Sequence, residues 1–479
     1  MSLSDNADPK VASSTPHAAP AQKQRPARRR RALTWVLATL AIVVTVAAAG
    51  GLVWQISAVT SPRTGTITAP EAYPPAEPAP VLAGSDADAP LPDLASVLPG
   101  LLADPRLNGS LSASFADALT GEVLFEQEDT TPLAPASSMK VVTAVAAFQH
   151  LGAEYRIPTT VVEGPTDDSV VLVGGGDPTL TVDGEGYYTP YAAGASLTEL
   201  AGLVLEARGG TAPTTLYLDT SVFTDSVNAP GVGMAELDDS TGPMAPIMLD
   251  GGRTNTTEKY APHHTDPAMV AAQEFADLLG ATTVEAGTAA EGAAELAVVH
   301  SAPLSALVDS FILTSDNLLS DAVALQTALA VEGEMTWAAM STVHTSTLEG
   351  LGVDTAGLVF NDGSGLSPTD RMTAKAFTRM LLGAAGSQAS SVFESLPVAG
   401  YSGTLDDRFG TAEEGEGVVR AKTGTLTQPT GVISLTGTLT TADGRQVIFS
   451  LISNGHTTGP EAVEAAMDEV TAAVSQCGC

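Results

Sequence analysis

Near the start of the chain, the run from Ala32 to Val53, ALTWVLATLAIVVTVAAAGGLV, carries no charge, and Arg25 and Arg28 to Arg31 stand just before it. At about 1.5 Å of rise per residue this run is long enough to cross a hydrocarbon layer of about 30 Å. It is too long and too evenly apolar for a surface helix, and the arginines hold the preceding tail on the cytoplasmic side. Residues 32–54 are therefore expected to form a transmembrane helix or signal anchor, with 1–31 as a basic cytoplasmic tail. Everything that follows must then fold outside the cytoplasm. Ala47 to Ala49 also resemble a signal peptidase site, so cleavage and secretion stay open. The length of the run favours the anchor, because the apolar core of a cleaved signal is usually about 7 to 15 residues. Residues 55–93, rich in Pro, Ala, Asp and Glu, read as a semi-extended tether, and ordered sequence begins near Leu94.

The 479 residues leave room for two or three domains. With 21 basic against 55 acidic side chains the formal charge is -34, a sign that repels phosphate backbones and sets nucleic acid aside as a partner. Cys477 and Cys479 are too close together to close a useful loop and are expected to lie in a frayed tail. The paired His263 and His264 are too isolated to argue for a metal and read as a surface loop.

After Leu94, residues 110–119 and 120–127 read as two strands joined at Thr120-Gly121, and SSMKVVTAVAAFQHLG (137–152) reads as a helix ended by Gly152. Near the other end 418–426, 431–441 and 445–455 read as three strands, followed by a helix from Pro460 to Ser475. Two strands early and three late, each group beside a helix, predict one antiparallel sheet with helices on its faces. Between them the texture changes. Strand-like runs at 168–176 and 214–219 alternate with helical periodicity at 197–207, 267–280, 303–315 and 316–330.

Three short patterns carry chemistry. In Ser137-Ser138-Met139-Lys140, residues three apart on a helix face the same way, so the Lys140 amine can reach the Ser137 hydroxyl. A serine attacks poorly at neutral pH unless a base takes its proton, and a lysine can serve if burial and nearby positive charge lower its pKa. The same residues would also serve as an N-cap and a snorkelling lysine. Against that, Lys140 is the only Lys or Arg between Arg106 and Arg156 and falls on an apolar helix face. Ser315-Asp316-Asn317 lies between two apolar helical runs, where a hydroxyl and an amide can point into one cleft; a helix cap is the alternative. Lys422-Thr423-Gly424-Thr425 reads as a strand whose Lys422 could meet a terminal carboxylate and whose Gly424 admits a ligand close to the backbone; the alternative is an edge lysine beside a Thr ladder.

A Ser-x-x-Lys, a Ser-x-Asn and a Lys-Thr-Gly in this order resemble the signature of penicillin-binding proteins and serine β-lactamases. The long interval between Ser137 and Ser315, with PLAPASSMKVVTAVAAFQHLG (132–152), LVGGGDPTL (172–180), NDGSGLSP (361–368), LPVAGYSGTLDDRF (396–409) and VVRAKTGTL (418–426), resembles the D-alanyl-D-alanine carboxypeptidase/endopeptidase group of type 4 low-molecular-mass penicillin-binding proteins, peptidase family S13. That resemblance implies an α/β, transpeptidase/β-lactamase-like domain with a five-stranded antiparallel sheet flanked by helices. It is split into 94–154 and 301–476 by an inserted domain at 155–300, which is shorter than in founding members. It further implies Ser137 as nucleophile, Lys140 as its base, Ser315 as proton relay, Asn317 on the substrate backbone, and Lys422, Thr423 and Thr425 on the terminal carboxylate, with the oxyanion between the Ser137 and Thr425 N–H groups. Asp316 would support the loop or the cleft electrostatics, and Gly174 to Pro178 and Asp362 to Gly365 would be tight turns of the architecture. The implied partners are peptidoglycan stem peptides ending in D-Ala-D-Ala and β-lactams as covalent inhibitors, with no metal or organic cofactor. A serine β-lactamase and a nonenzymatic wall-binding protein are the alternatives.

Overall fold

The computed structural model describes residues 86–233, 240–427 and 431–478. The segment 32–54 lies outside the described residues, and among those described no helix is long and apolar enough to cross a membrane.

The chain begins with helix α1 (Leu94–Leu102) and the hairpin β1 (Ser110–Asp117) and β2 (Val123–Gln127), then enters α2 (Met139–Leu151). The middle of the chain supplies β3 (Pro158–Glu163), β4 (Ser169–Val173), β5 (Asp177–Leu180), α3 (Leu197–Ala207), β6 (Thr215–Asp219), β7 (Ile247–Leu249), α4 (Pro267–Leu279), β8 (Thr283–Ala286) and β9 (Glu295–His300). Helices α5 (Leu304–Thr314), α6 (Asn317–Glu332), α7 (Trp337–Gly350), α8 (Ala374–Ala385) and the short α9 (Val392–Ser395) follow. Strands β10 (Val419–Leu426), β11 (Val432–Thr440) and β12 (Gln446–Asn454) and helix α10 (Pro460–Ser475) complete it.

The early hairpin and the three late strands join in one five-stranded sheet ordered β10-β11-β12-β1-β2, antiparallel throughout. Its centre is buried on both faces, which explains why β12 reads as an almost continuous apolar run. Val447, Phe449 and Leu451 face the core shared with α1 and α10, while Ile448 and Ile452 alternate to the opposite core, built from α2, α5 and α8. The period-2 geometry of a strand thus divides one segment between two hydrophobic layers.

Residues 158–300 hold a second five-stranded sheet, β8-β6-β4-β3-β9. It is mixed: β3 pairs antiparallel with β4 and β9, and β6 runs parallel to β4 and β8. Its core continues into α6 and α7 through Leu318, Ala322, Leu325 and Met340, and the described residues belong to a single compact unit.

Three local expectations need correction. Gly174 to Pro178 is only partly a turn, because Asp177 and Pro178 already belong to β5, which pairs with β7 alone in a two-stranded ribbon; such an edge tolerates proline. Helix α2 buries every residue from Met139 to Phe148 and not one side, since helices and sheet enclose it all round. Cys477 is not in a frayed tail: it is half-buried against the core under α10.

Phe449 is fully buried and stacks on Phe115 with ring centroids 5.9 Å apart. Phe449→Ala should lower the stability measured by equilibrium urea unfolding by about 3–5 kcal/mol. A loss under about 1 kcal/mol would contradict the two-layer packing described here.

Candidate active site

Ser137 sits in a single 3-10 turn, Ala136–Ser138, that runs straight into α2. The turn is clamped from two sides. A side chain at Gly365 would collide with the Ala136 carbonyl, and a Cβ at Gly424 would lie 2.8 Å from the Pro135 carbonyl oxygen. Both positions therefore need glycine to let backbone approach backbone. Ser138 Oγ lies 2.8 Å from Ser434 Oγ, which donates to the Pro135 carbonyl at 2.6 Å and ties the turn to the sheet. Ala136 itself adopts a φ of 47°, a left-handed conformation unusual for a residue with a side chain.

One turn into the helix, the fully buried Lys140 directs Nζ at three oxygens: Ser137 Oγ at 2.9 Å, Asn317 Oδ1 at 2.6 Å and the Ser364 carbonyl at 2.8 Å. Two of these can only accept. A neutral amine has two N–H groups and one lone pair, so satisfying Asn317 and Ser364 turns the lone pair toward Ser137, whose hydroxyl can then donate. The amide of Asn317 is fixed in the required sense, because its Nδ2 donates to the Ser240 carbonyl at 2.9 Å.

A second chain of contacts meets the first across the cleft. Lys422, also fully buried, donates from Nζ to Ser315 Oγ at 3.1 Å and to the Thr423 carbonyl at 2.8 Å. Ser315 ends α5 in the left-handed conformation, φ 58°, and this bend separates α5 from α6 and aims the hydroxyl across at β10. Thr423 Oγ1 pairs with Thr404 Oγ1 at 2.7 Å. Thr425 is exposed at the mouth and its hydroxyl is turned away from Lys422, donating to Glu464 Oε1 of α10 at 3.0 Å. Ser137, Ser315, Asn317, Thr423 and Thr425 line one cleft of about 910 Å³.

Burial disfavours the charged amine and brings Lys140 down to about 8, although the carboxylates of Asp321, Asp362 and Asp316 oppose the fall. Lys422 is held well below the ordinary lysine range, chiefly by burial and then by the Lys140 charge. Behind Lys140, Asp362 accepts from the backbone N–H groups of Ser364, at 3.0 Å, Gly365 and Ser367, at 2.6 Å, which shapes the loop that presents the Ser364 carbonyl. Burial and the neighbouring Asp362 push Asp321 and Asp370 well above the usual carboxylate range. Asp316 caps α6 by accepting from Leu319 N at 2.8 Å and is ion-paired with Arg253.

All seven residues expected from the sequence thus lie around one cleft or directly beneath it. Asp362 to Gly365, expected as architecture only, also supplies a carbonyl to Lys140. Sequence reading missed Ser364, Asp321 and Arg253. A backbone carbonyl has no sequence signal, and only the fold brings Arg253 to Asp316. Among the described residues no group of three or more His, Cys, Asp or Glu side chains is placed to hold a metal ion.

Comparison with known proteins finds relatives that span most of the chain. The chain is 37% identical over 390 residues to the carboxypeptidase Rv3627c of Mycobacterium tuberculosis, covering 79% of this chain and 82% of the relative. It is 35% identical over 474 residues to the carboxypeptidase DacB of Mycolicibacterium smegmatis, covering 95% and 99%. The crystal structure of penicillin binding protein 4 (dacB) from Haemophilus influenzae shares the fold, with a TM-score of 0.65, 20% identity, and 78% and 98% of the two chains covered. The model of the D-Ala-D-Ala carboxypeptidase 3 (S13) family matches residues 94–278 and 255–474. A buried Ser-x-x-Lys pair facing a Ser-x-Asn turn and a Lys-Thr-Gly strand, together with these matches over most of its length, places the chain in the D-Ala-D-Ala carboxypeptidase 3 (S13) family of serine peptidases.

Proposed function

We propose that this serine D-Ala-D-Ala carboxypeptidase works through an acyl-enzyme on Ser137, with Lys140 as the base. The observation that carries the reading is the orientation of the Lys140 amine by two acceptor-only oxygens, which leaves its lone pair for the Ser137 hydroxyl. Ser137 Oγ attacks the carbonyl carbon of the penultimate D-alanine while its proton passes to Lys140 Nζ. The developing oxyanion lies between the N–H groups of Ser137 and Thr425, held by a helix start and a strand, and losing one such donor commonly costs about 3–4 kcal/mol. As the C–N bond breaks, the terminal D-alanine nitrogen takes a proton from Ser315, which Lys422 Nζ holds in place at 3.1 Å, and the proton that Lys140 took from Ser137 replaces it, so that Lys140 is neutral again. Asn317 holds the substrate backbone, and Lys422 with Thr423 and Thr425 receives the terminal carboxylate, for which the Thr425 hydroxyl must leave Glu464. Water activated by the same Lys140 then attacks the ester carbonyl and frees Ser137.

The partners in this reading are peptidoglycan stem peptides ending in D-Ala-D-Ala, and β-lactams that acylate Ser137 and stay bound. Residues 94–154 and 301–476 act as the catalytic domain, 155–300 as the insertion, and 32–54 as a single-pass anchor that keeps the cleft outside the cell membrane.

Labelling of the protein by penicillin should vanish in Ser137→Ala together with D-alanine release, and persistent covalent labelling of that variant would refute the assignment. Because Lys140 must be neutral to accept the proton, kcat/KM should fall as the pH drops through about 8. A profile flat from about pH 6 to about pH 9 would contradict Lys140 as the base. Mass spectrometry of products from purified cross-linked and uncross-linked muropeptides checks endopeptidase action: loss of one D-alanine from monomers with dimers intact leaves the enzyme a carboxypeptidase only, and conversion of dimers to monomers adds the second activity.

A further inference from the structure

Asp316 stands between two residues of the site, Ser315 and Asn317, and borders the same cleft, and its carboxylate is paired with a residue of the segment 155–300. There it meets Arg253, which follows β7 and a short turn: Nη2 lies 2.6 Å from Asp316 Oδ2, and the two side chains are only 4% and 2% exposed. Arg253 Nη1 donates to Tyr188 Oη at 2.9 Å and to the Asp250 carbonyl at 3.2 Å, and the guanidinium lies 3.9 Å from the centre of the Tyr187 ring. Tyr188 Oη in turn lies 3.3 Å from Asp316 Oδ1. Segment 155–300 thus holds the Ser-Asp-Asn turn through this buried ion pair, the Tyr188 contact and the bond from Asn317 Nδ2 to the Ser240 carbonyl.

We propose that Arg253 is a positioning residue of the catalytic site: by neutralising Asp316 and fixing the turn 315–317, it keeps Lys140 able to act as a base. The proposal rests on the assignment of Ser137 and Lys140 made above. Lys140 is faced by Asp321, Asp362 and Asp316 on the negative side and by Lys422 and Lys259 on the positive side, with Asp370 behind Asp362. Asp316 is faced by Arg253, Tyr187, Tyr188 and Lys140. Removing Arg253 leaves a buried carboxylate uncompensated, which favours the charged Lys140. Removing the Asp316 charge leaves the guanidinium uncompensated and acts in the opposite sense. Removing both restores neutrality, and an Asn at 316 still caps α6.

The test is the pH dependence of the second-order rate constant for acylation by penicillin, measured on the full chain for wild type, Arg253→Met, Asp316→Asn and the double variant. Arg253→Met should move the acid limb up by about one pH unit and slow acylation at pH 7 about tenfold. Asp316→Asn should move the limb down, and the double variant should return it to the wild-type position. A rate lowered by the same factor at every pH with the limb unmoved, or a double variant no better than Arg253→Met, would mean a purely structural pair and overturn the proposal. Should Arg253→Met fail to fold, Asp316→Asn decides: a limb that coincides with wild type overturns it. A wild type not acylated at Ser137 overturns both this role and the reading beneath it, whereas an acylated wild type with unmoved limbs in the variants overturns only the role of Arg253.

Discussion

The structure depends on keeping one amine, Lys140 Nζ, dry and aimed. An ammonium buried without compensation is costly, and the protein meets that cost in two ways. It surrounds the amine with oxygen acceptors, and it places Asp316, Asp321 and Asp362 near enough to lessen the fall in pKa without abolishing it. The balance leaves Lys140 near 8, where charged and neutral forms coexist close to physiological pH. A base poised in that range combines adequate population with adequate basicity. The burial of α2 from Met139 to Phe148 serves the same requirement, because water reaching Lys140 would hydrate the amine and return it to ordinary behaviour.

Much of this was legible in the sequence where a local rule governs. The spacing of Ser137 and Lys140 is a helical-face relation, and the preceding 3-10 turn alters it little. The five strands of the principal sheet announce themselves as strand-like runs broken by turns such as Thr120-Gly121, and the ends of β12 and α10 fall within a residue or so of expectation. What escaped reading is what only tertiary contact creates. The Ser364 carbonyl is a backbone atom delivered by a loop that Asp362 shapes. Arg253 resembles any loop arginine until the chain brings it from the turn after β7 to Asp316 at the start of α6. The inserted sheet was also obscure, because its strands are short and its mixed pairing, with a register shift between β3 and β9, leaves no simple periodic trace.

The relation between the insertion and the cleft is closer than a picture of catalytic core plus accessory domain suggests. The hydrophobic core beneath the second sheet continues into α6, the helix whose first residue is Asn317. A shift of α6 by one ångström would therefore be felt in both the packing of that sheet and the acceptor that orients Lys140. The acidity of the chain as a whole, by contrast, has little part in the chemistry. Near the catalytic oxygen the charges are counted individually, and burial, with the neighbouring Asp362, raises the Asp321 and Asp370 carboxyls well above the usual carboxylate range.

The chain holds six lysines, few enough for each side chain to be followed by NMR after ¹³C labelling at Cε, with Lys140 assigned by its absence in a Lys140→Met variant. The most direct test of the account is the pH titration of that resonance in the uninhibited protein. A midpoint near 8 is expected. A midpoint at or above about 10, the value of a lysine in water, would show that the amine is not desolvated and that the proposed base is absent.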